Sequence, residues 1–322
     1  MIVVTGGAGF IGSCIVSRLN SQGRKDLIIV DDLEEHDGKR RNLEGKEYAA
    51  YYDKDDFLRI VLDDCLDSSV DCIIHMGACS STIGTDRAYY EQNNFEYTRH
   101  LAEWCFTHQA RYIYASSAAT YGDGEQGYED DESRLSELKP LNLYGWSKYK
   151  FDLWVMEQGV RDRVVGLKFF NVFGPNEYHK GDMRSVLNKA YPRVAAEGKI
   201  FLFKSYRPEY ADGEQKRDFI YIKDAVDVVM FFFEHPDIHG IYNVGTGEAR
   251  SWNDVAHALF AAVGKDPDIT YMDMPEHLRE RYQYFTQASV DKLRSVGFGR
   301  RFTPLKEAVK DYVGYLSQGL YL

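Results

Sequence analysis

Short runs of β-branched and aliphatic residues alternate with longer stretches of mixed polarity along the first half of the chain. Ile2–Thr5, Leu27–Asp31, Cys72–Met76, Tyr112–Ser116 and Val164–Phe170 read as strands. Ile11–Gln22, Phe57–Asp64, Tyr90–Thr107 and Tyr144–Glu157 read as helices between or after them. The strands are apolar throughout rather than alternating. That predicts burial on both faces, in a parallel sheet sandwiched by helices. The fold class is therefore α/β, with a doubly wound parallel sheet.

The rhythm breaks after Phe170. Residues 171–216 hold loops, Gly, Pro and one helix near Met183–Ala195. A strand at Phe219–Ile222, a helix at Asp224–Glu234 and a strand at Gly240–Val244 restore it, and later segments are shorter and mixed. The pattern predicts a nucleotide-binding domain over 1–170 and 217–246. A smaller, discontinuous substrate lobe is predicted over 171–216 and 247–322. No repeat or Pro-rich linker separates them, so the two are expected to pack rather than be tethered.

Composition narrows the partners. With 322 residues, 44% of them hydrophobic, the chain can bury a sizeable core, and its net charge of -11 repels phosphate backbones and anionic lipid. Nucleic acid and membrane are thus poor partners. No apolar run approaches the roughly 20 residues of a membrane span, and Met1 leads straight into a strand, leaving no room for a charged signal-peptide start. Cys14, Cys65, Cys72, Cys79 and Cys105 are odd in number and lack a CxxC pair. No metal site is expected from them, and a reducing, cytoplasmic compartment is.

The first strand runs into Thr5-Gly6-Gly7-Ala8-Gly9-Phe10-Ile11-Gly12, which opens a helix. A glycine triplet at the first β–α turn is the dinucleotide-binding fingerprint of the Rossmann fold. Gly6 permits the tight turn, Gly9 lets backbone N–H groups approach a pyrophosphate, and Gly12 lets the helix lie close to the sheet. Asp31 ends the second strand where an acid bonds the ribose hydroxyls. Asp31-Asp32 alone favours NAD, yet Lys39, Arg40 and Arg41 just beyond, with Lys54, could pair with a 2′-phosphate. These residues leave NAD against NADP open.

Tyr144 and Lys148 stand four apart on one predicted helix face, as neighbours. A phenol ordinarily titrates near ~10, and an adjacent ammonium favours its ionised form. Such a pair can take a proton from a sugar alcohol while hydride leaves for a nicotinamide. Upstream, the strand at Tyr112 ends in Ser116-Ser117, which can offer a hydroxyl to the same substrate oxygen.

Glycine turn, serine and YxxxK in this order resemble the extended short-chain dehydrogenase/reductase superfamily, over essentially the whole chain. Within it the sequence is similar to the nucleotide-sugar epimerases that act on ADP-heptose, a lipopolysaccharide precursor. The runs carrying this likeness are Thr5–Ser13, Gly77–Thr82, Tyr114–Gly122, Pro140–Lys148, Phe170–Pro175, His179-Lys180-Gly181, Arg217-Asp218-Phe219 and Arg281–Ala288. The resemblance implies a nicotinamide that removes hydride from C6 of the heptose, a transient aldehyde that turns, and return of the hydride to its other face. Tyr144 and Lys180 then serve as acid/base groups on opposite sides, with Lys148 and Ser117 beside Tyr144. It implies NADP, held by Phe10, Ile11, Asp31, Asp32, Lys39, Lys54, Met76, Gly77, Ala78, Cys79, Ser80, Asn93, Lys148, Val172 and Lys180. It implies substrate contacts at Asn171, Asp182, Lys189, Phe203, Lys204, Ser205, Tyr206, Arg217 and Tyr282, and a homo-oligomer, a pentamer in the family. Arg217 also makes independent sense, because a guanidinium can clamp a diphosphate through two bonds.

Some positions depart from the family pattern. Met76 stands where Glu is usual, and Asp182 and Lys189 replace a small polar residue and a His. The segment after Tyr206, Arg207–Gln215, does not align readily. A sister enzyme, such as a UDP-hexose 4-epimerase, would share the Tyr–Lys pair with another nucleotide. A 4,6-dehydratase needs a carboxylate near the serine, and Ala118-Ala119-Thr120 supplies none. A non-catalytic NADP-binding sensor has no use for the YxxxK pair.

Overall fold

The computed structural model describes residues 1–33, 37–279 and 282–322. Its strands are β1 (Ile2–Thr5), β2 (Leu27–Asp31), β3 (Ala50–Asp53), β4 (Cys72–His75), β5 (Arg111–Ser117), β6 (Val164–Phe169), β7 (Asn171–Phe173), β8 (Ile200–Phe203), β9 (Lys216–Tyr221), β10 (Gly240–Val244), β11 (Ala249–Ser251) and β12 (Ile269–Met272). The longer helices are α1 (Phe10–Ser21), α2 (Lys54–Leu62), α3 (Tyr97–His108), α4 (Leu143–Glu157), α5 (Val186–Glu197), α6 (Ile222–Glu234), α7 (Trp252–Val263) and α8 (Leu305–Gln318).

Seven strands form one parallel sheet in the order β10-β6-β5-β4-β1-β2-β3. The chain steps outward from β1 to β3, then returns to β4 on the other side of β1. The strand order therefore reverses between β1 and β4, and ligands of such sheets bind in the crevice beyond that point. Alternate residues of each strand face opposite helical layers, as buried parallel strands require. Val4, Ile29 and Ile113 join α1 and α6 in one core, whereas Val3, Ile28 and Tyr112 join α2, α3 and α4 in the other.

The structure departs from the sequence reading at four places. β3 was not foreseen: it is an edge strand, half-buried along its length, and Ala50-Tyr51-Tyr52-Asp53 lacks the aliphatic run of its neighbours. The helix expected over Tyr90–Thr107 is broken into a short helix at Arg87–Tyr90, a π-helical turn at Glu91–Glu96 and α3. The strand expected at Phe219–Ile222 exists as β9 but lies outside the large sheet. It pairs with β7 and β11 in a three-stranded sheet, while β8 and β12 pair separately. Ser185, which accepts from the Asn188 N–H, starts α5 later than the expected Met183. Among the described residues, no helix is long and apolar enough to cross a membrane.

Candidate active site

The carboxyl ends of β1 and β4 approach each other so closely that only glycine fits. A Cβ on Gly6, whose φ is +63°, would lie 2.7 Å from the Gly77 nitrogen, and one on Gly12 would lie 2.1 Å from the Gly6 carbonyl oxygen. The bare backbone of Gly6, Gly9 and Gly12 therefore lines a cavity of about 1750 Å³ at the start of α1. Asp31, at the end of β2, pins this turn. One carboxylate oxygen accepts from the Ala8 N–H at 2.9 Å; the other accepts from the Asp32 N–H and the Lys39 ammonium, each at 2.8 Å.

A second, adjoining cavity of about 270 Å³ shares Gly6, Asp31, Lys39, Gly77 and Ala78 with the first. Its wall adds Asp32, Lys54, Cys79 and Asn93, where the Lys54 ammonium donates to the Asn93 side-chain oxygen at 3.2 Å. Phe10, Ile11, Met76, Ser80, Lys148, Val172 and Lys180 line the larger cavity. Every residue expected to hold the dinucleotide thus faces one of the two. Arg40 and Arg41, the other members of the basic cluster, are exposed and line neither; Arg41 stacks over Tyr321 instead.

The π-helical turn fixes the loop after β4. Its fully buried Asn94 accepts from the Cys79 N–H at 2.9 Å and donates to the Cys79 carbonyl and the Ser147 hydroxyl, both at 3.0 Å. One side chain thereby joins the cofactor-side loop to α4.

α4 begins where Asn142 accepts from the Gly145 N–H at 2.8 Å. A Cβ on Gly145 would lie 2.6 Å from the Ala119 oxygen, so the first turn of α4 sits hard against the end of β5. This contact brings Tyr144 to Ser117. Burial raises the Tyr144 phenol above its ordinary range, and the neighbouring Ser117 hydroxyl opposes that rise. The direction is opposite to the lowering expected from Lys148: burial, and not that ammonium, sets the Tyr144 shift in the chain by itself. Lys148 is only 3% exposed, and among the described residues its Nζ has no hydrogen-bond partner. Burial pushes its ammonium down to about 8, against the pull of the Asp152 carboxylate.

Lys180 enters from a different element, the 3₁₀ turn Tyr178–Met183 before α5. Gly181 breaks that turn at φ +53° and ψ -125°. The Lys180 ammonium lies 5.2 Å from the centre of the Phe10 ring, and burial lowers its pKa while Glu177 opposes this. The fully buried Glu177 anchors the turn by accepting from the Ser185 hydroxyl at 2.6 Å and the Tyr312 hydroxyl at 2.8 Å. His179 beside it is pushed down to about 4 by burial and the two flanking lysines, Lys39 and Lys180, so it is neutral at pH 7.

The far end of the large cavity carries Asn171, Arg217 and Tyr282. Among the described residues, no carboxylate forms an ion pair with Arg217. Its guanidinium donates to the Lys216 and Gln283 carbonyls and lies 5.2 Å from the Tyr282 ring centre. Asp218 is engaged by Thr246, Gly247 and Ala288, and Asp224 by Thr303. A buried cation without a counter-ion, facing a cavity, suits an anionic ligand. Asp182, Lys189 and residues 203–206 do not line the cavity. Lys189 donates to the Asp182 carbonyl, Lys204 and Tyr206 engage Asp273, and Phe203 packs on Tyr282. Arg281, which opens one of the family-like runs, lies outside the described residues. Trp252, Arg87 and Arg184 line the cavity without having been foreseen; the Trp252 indole N–H donates to the Tyr282 hydroxyl at 2.8 Å. Only the Ser251–Asp254 capping box before Trp252 offered a local signal, and it marks a helix rather than a site.

The glycine cradle, the acid at the end of β2 and the orphaned Lys148 ammonium all fit a nicotinamide dinucleotide. A Rossmann sheet with these features, a half-buried Tyr144 and a buried Lys148 one helical turn on, defines a dinucleotide-dependent enzyme acting on an alcohol carbon. Residues 2–245 match the NAD dependent epimerase/dehydratase family, to which this chain belongs. The chain is 51% identical over 313 residues to ADP-L-glycero-D-manno-heptose-6-epimerase of Nitratidesulfovibrio vulgaris (strain DP4), with 97% of each chain covered. Its fold resembles the crystal structure of the Helicobacter pylori ADP-L-glycero-D-manno-heptose-6-epimerase, with a TM-score of 0.83, 26% identity and coverage of 98% and 96%. MoeE5 in complex with UDP-glucuronic acid and NAD is similar too, with a TM-score of 0.77, 26% identity and 99% of each chain covered.

Proposed function

We propose that this chain inverts C6 of an ADP-activated glycero-manno-heptose, the activity for which its Nitratidesulfovibrio and Helicobacter relatives are named. The observation that carries this reading is that Tyr144 and Lys180, from different elements, line one cavity with the glycine turn and with Arg217. Inversion through a planar aldehyde needs a proton-transfer group for each of two orientations of the carbonyl, and one pair on one helix serves a single orientation. When bound, NADP supplies the hydride acceptor for the first half-reaction and the donor for the second.

The chain's own residues do the rest. The Tyr144 hydroxyl oxygen takes the proton of the sugar hydroxyl, and the Ser117 hydroxyl bonds the same oxygen. Lys148 Nζ would bind the cofactor ribose and favour the ionised form of the phenol. After the aldehyde turns, Lys180 Nζ gives a proton to the carbonyl oxygen, and in the reverse direction Tyr144 and Lys180 exchange roles. Arg217 and Tyr282 bind the diphosphate end. In this reading residues 1–170 and 217–246 hold the dinucleotide, and 171–216 with 247–322 hold the sugar nucleotide. The preference for NADP is supported by the ammonium groups of Lys39 and Lys54 in the smaller cavity and by the engagement of Asp31 with Lys39. The same reading extends to a homo-oligomer, which sedimentation measures directly.

The test is incubation with ADP-heptose and, separately, with UDP-hexoses, followed by product stereochemistry. Inversion at C6 with no net consumption of free NADPH is expected. Inversion at C4 of a UDP-hexose, with the heptose untouched, would replace this reading by that of a sister epimerase. Tyr144→Phe should abolish most turnover while NADP stays bound, and full activity in that variant discards the assigned base.

A further inference from the structure

Behind the cavity wall lies a charged pair that the proposed reaction does not use. Asp152, one helical turn beyond Lys148 on α4, and Lys168 on β6 form an ion pair of 2.6 Å with side chains 0% and 1% exposed. Four further groups surround the pair. Asp152 accepts from the Tyr114 hydroxyl at 2.8 Å and the Ser116 hydroxyl at 2.7 Å, and the Lys168 ammonium donates to the Thr120 hydroxyl at 2.8 Å and stands 5.2 Å from the Tyr121 ring centre.

The pair bears on Lys148 through helix geometry. Residues four apart on a helix are neighbours, so Asp152 is the natural counter-ion of Lys148. Among the described residues, Lys148 Nζ nevertheless has no hydrogen-bond partner, and Lys148 lines the cavity. Among the described residues, the charged and titratable groups around it are Tyr144 and Asp152 on its own helix, His75 on β4, and Lys168 on β6 behind Asp152. His75 is neutral, held between the Thr5 and Thr98 hydroxyls. Asp152 is thus the carboxylate within reach of Lys148, and its oxygens are already engaged.

We propose that Lys168 is a positioning residue: by occupying and neutralising Asp152 it denies Lys148 a counter-ion and keeps that ammonium turned toward the cavity. The same pair serves the serine side of the site. Thr120, which receives the Lys168 ammonium, donates to the Ser117 carbonyl at 2.8 Å, and Ser116 is tied to Asp152. The proposal rests on Lys148 being the cofactor-facing ammonium, not on the identity of the sugar.

The test uses Lys168→Gln, which retains a hydrogen-bond donor for Asp152 and loses the charge. The titration of Lys148 is followed by NMR of ¹³C-labelled lysine in the full chain without and with NADP, its signal assigned by loss in Lys148→Arg. In Lys168→Gln, Lys148 swings onto Asp152, so its titration point rises by about one unit or more and affinity for NADP falls about tenfold or more. Lys168→Arg should keep both near the parent values. Asp152→Asn with Lys168→Gln, which removes both charges, should restore NADP affinity to within about threefold of the parent, because no carboxylate remains to capture Lys148. An unchanged Lys148 titration in the single variant, or a double variant as impaired as the single, overturns the proposal. If the single variant does not fold, the charge-neutral double variant decides alone: retained NADP affinity supports the proposal and its loss overturns it. A wrong sugar assignment leaves all these readouts unchanged, so the two readings fail separately.

Discussion

Lys148→Met should make the dinucleotide-free protein more stable while abolishing its chemistry. The ammonium is pushed down to about 8 from an ordinary 10.5 because it is buried without a partner. At about 1.4 kcal/mol for each tenfold change, holding the charge at neutral pH costs the folded chain roughly 3 kcal/mol. Met fills nearly the same volume without the charge, so most of that cost is relieved. For a chain of this size the gain corresponds to a melting-point rise on the order of 5 °C. The sign is fixed by linkage. Below pH 8 both folded and unfolded chains carry the proton, and the full cost is felt. Between about 8 and 10.5 the folded parent sheds the proton while the unfolded chain keeps it, so the parent gains stability as pH rises. The advantage of the variant should therefore be complete at pH 7 and vanish toward pH 10.5. Urea unfolding and calorimetry of both proteins across that range provide the assay. A variant no more stable than the parent at pH 7, or an advantage that persists at pH 10.5, would refute the reasoning.

Gly12→Ala forces a Cβ to within 2.1 Å of the Gly6 carbonyl oxygen, a backbone atom that cannot rotate away. It should cost at least about 1–3 kcal/mol in unfolding free energy and weaken NADP binding in a fluorescence titration. Arg217→Lys removes the planar fork proposed to bind the diphosphate; the KM for the sugar nucleotide should rise roughly tenfold or more, with a smaller change in kcat. Lys39→Ala should weaken NADP far more than NAD in paired binding titrations, since only the former brings a phosphate to that end of the cavity. Equal losses for the two dinucleotides would remove Lys39 from the basis of the preference.

Local spacing carried much of the fold and the cofactor side of the site. Gly6, Gly9 and Gly12 are legible because the close backbone approaches they allow lie within one β–α turn, apart from that of Gly6 to Gly77. Tyr144 and Lys148 are legible because four residues make one helical turn. What escaped depends on tertiary contact. β3 is half-buried and therefore lacks the continuous aliphatic run that marked its neighbours. Trp252, Arg87 and Arg184 reach the cavity from separate segments, with no shared pattern among them. The rise of the Tyr144 pKa comes from burial, which spacing does not report. Asp182, Lys189 and residues 203–206 entered through resemblance alone, and none of them lines the cavity.

The π-helical turn at Glu91–Glu96 has a bearing on how this segment tolerates change. A wide turn of this kind holds one residue more than a regular helix would. Deleting that residue would give a tidier helix, with better backbone bonding and its flanks still in phase, but would close the widened turn from which the asparagines project. Asn93 and Asn94 could then no longer both keep their partners at Lys54, Cys79 and Ser147. Here regularity and activity pull in opposite directions, so a redesign that ironed out the helix would yield a sturdier rod and a slack loop after β4.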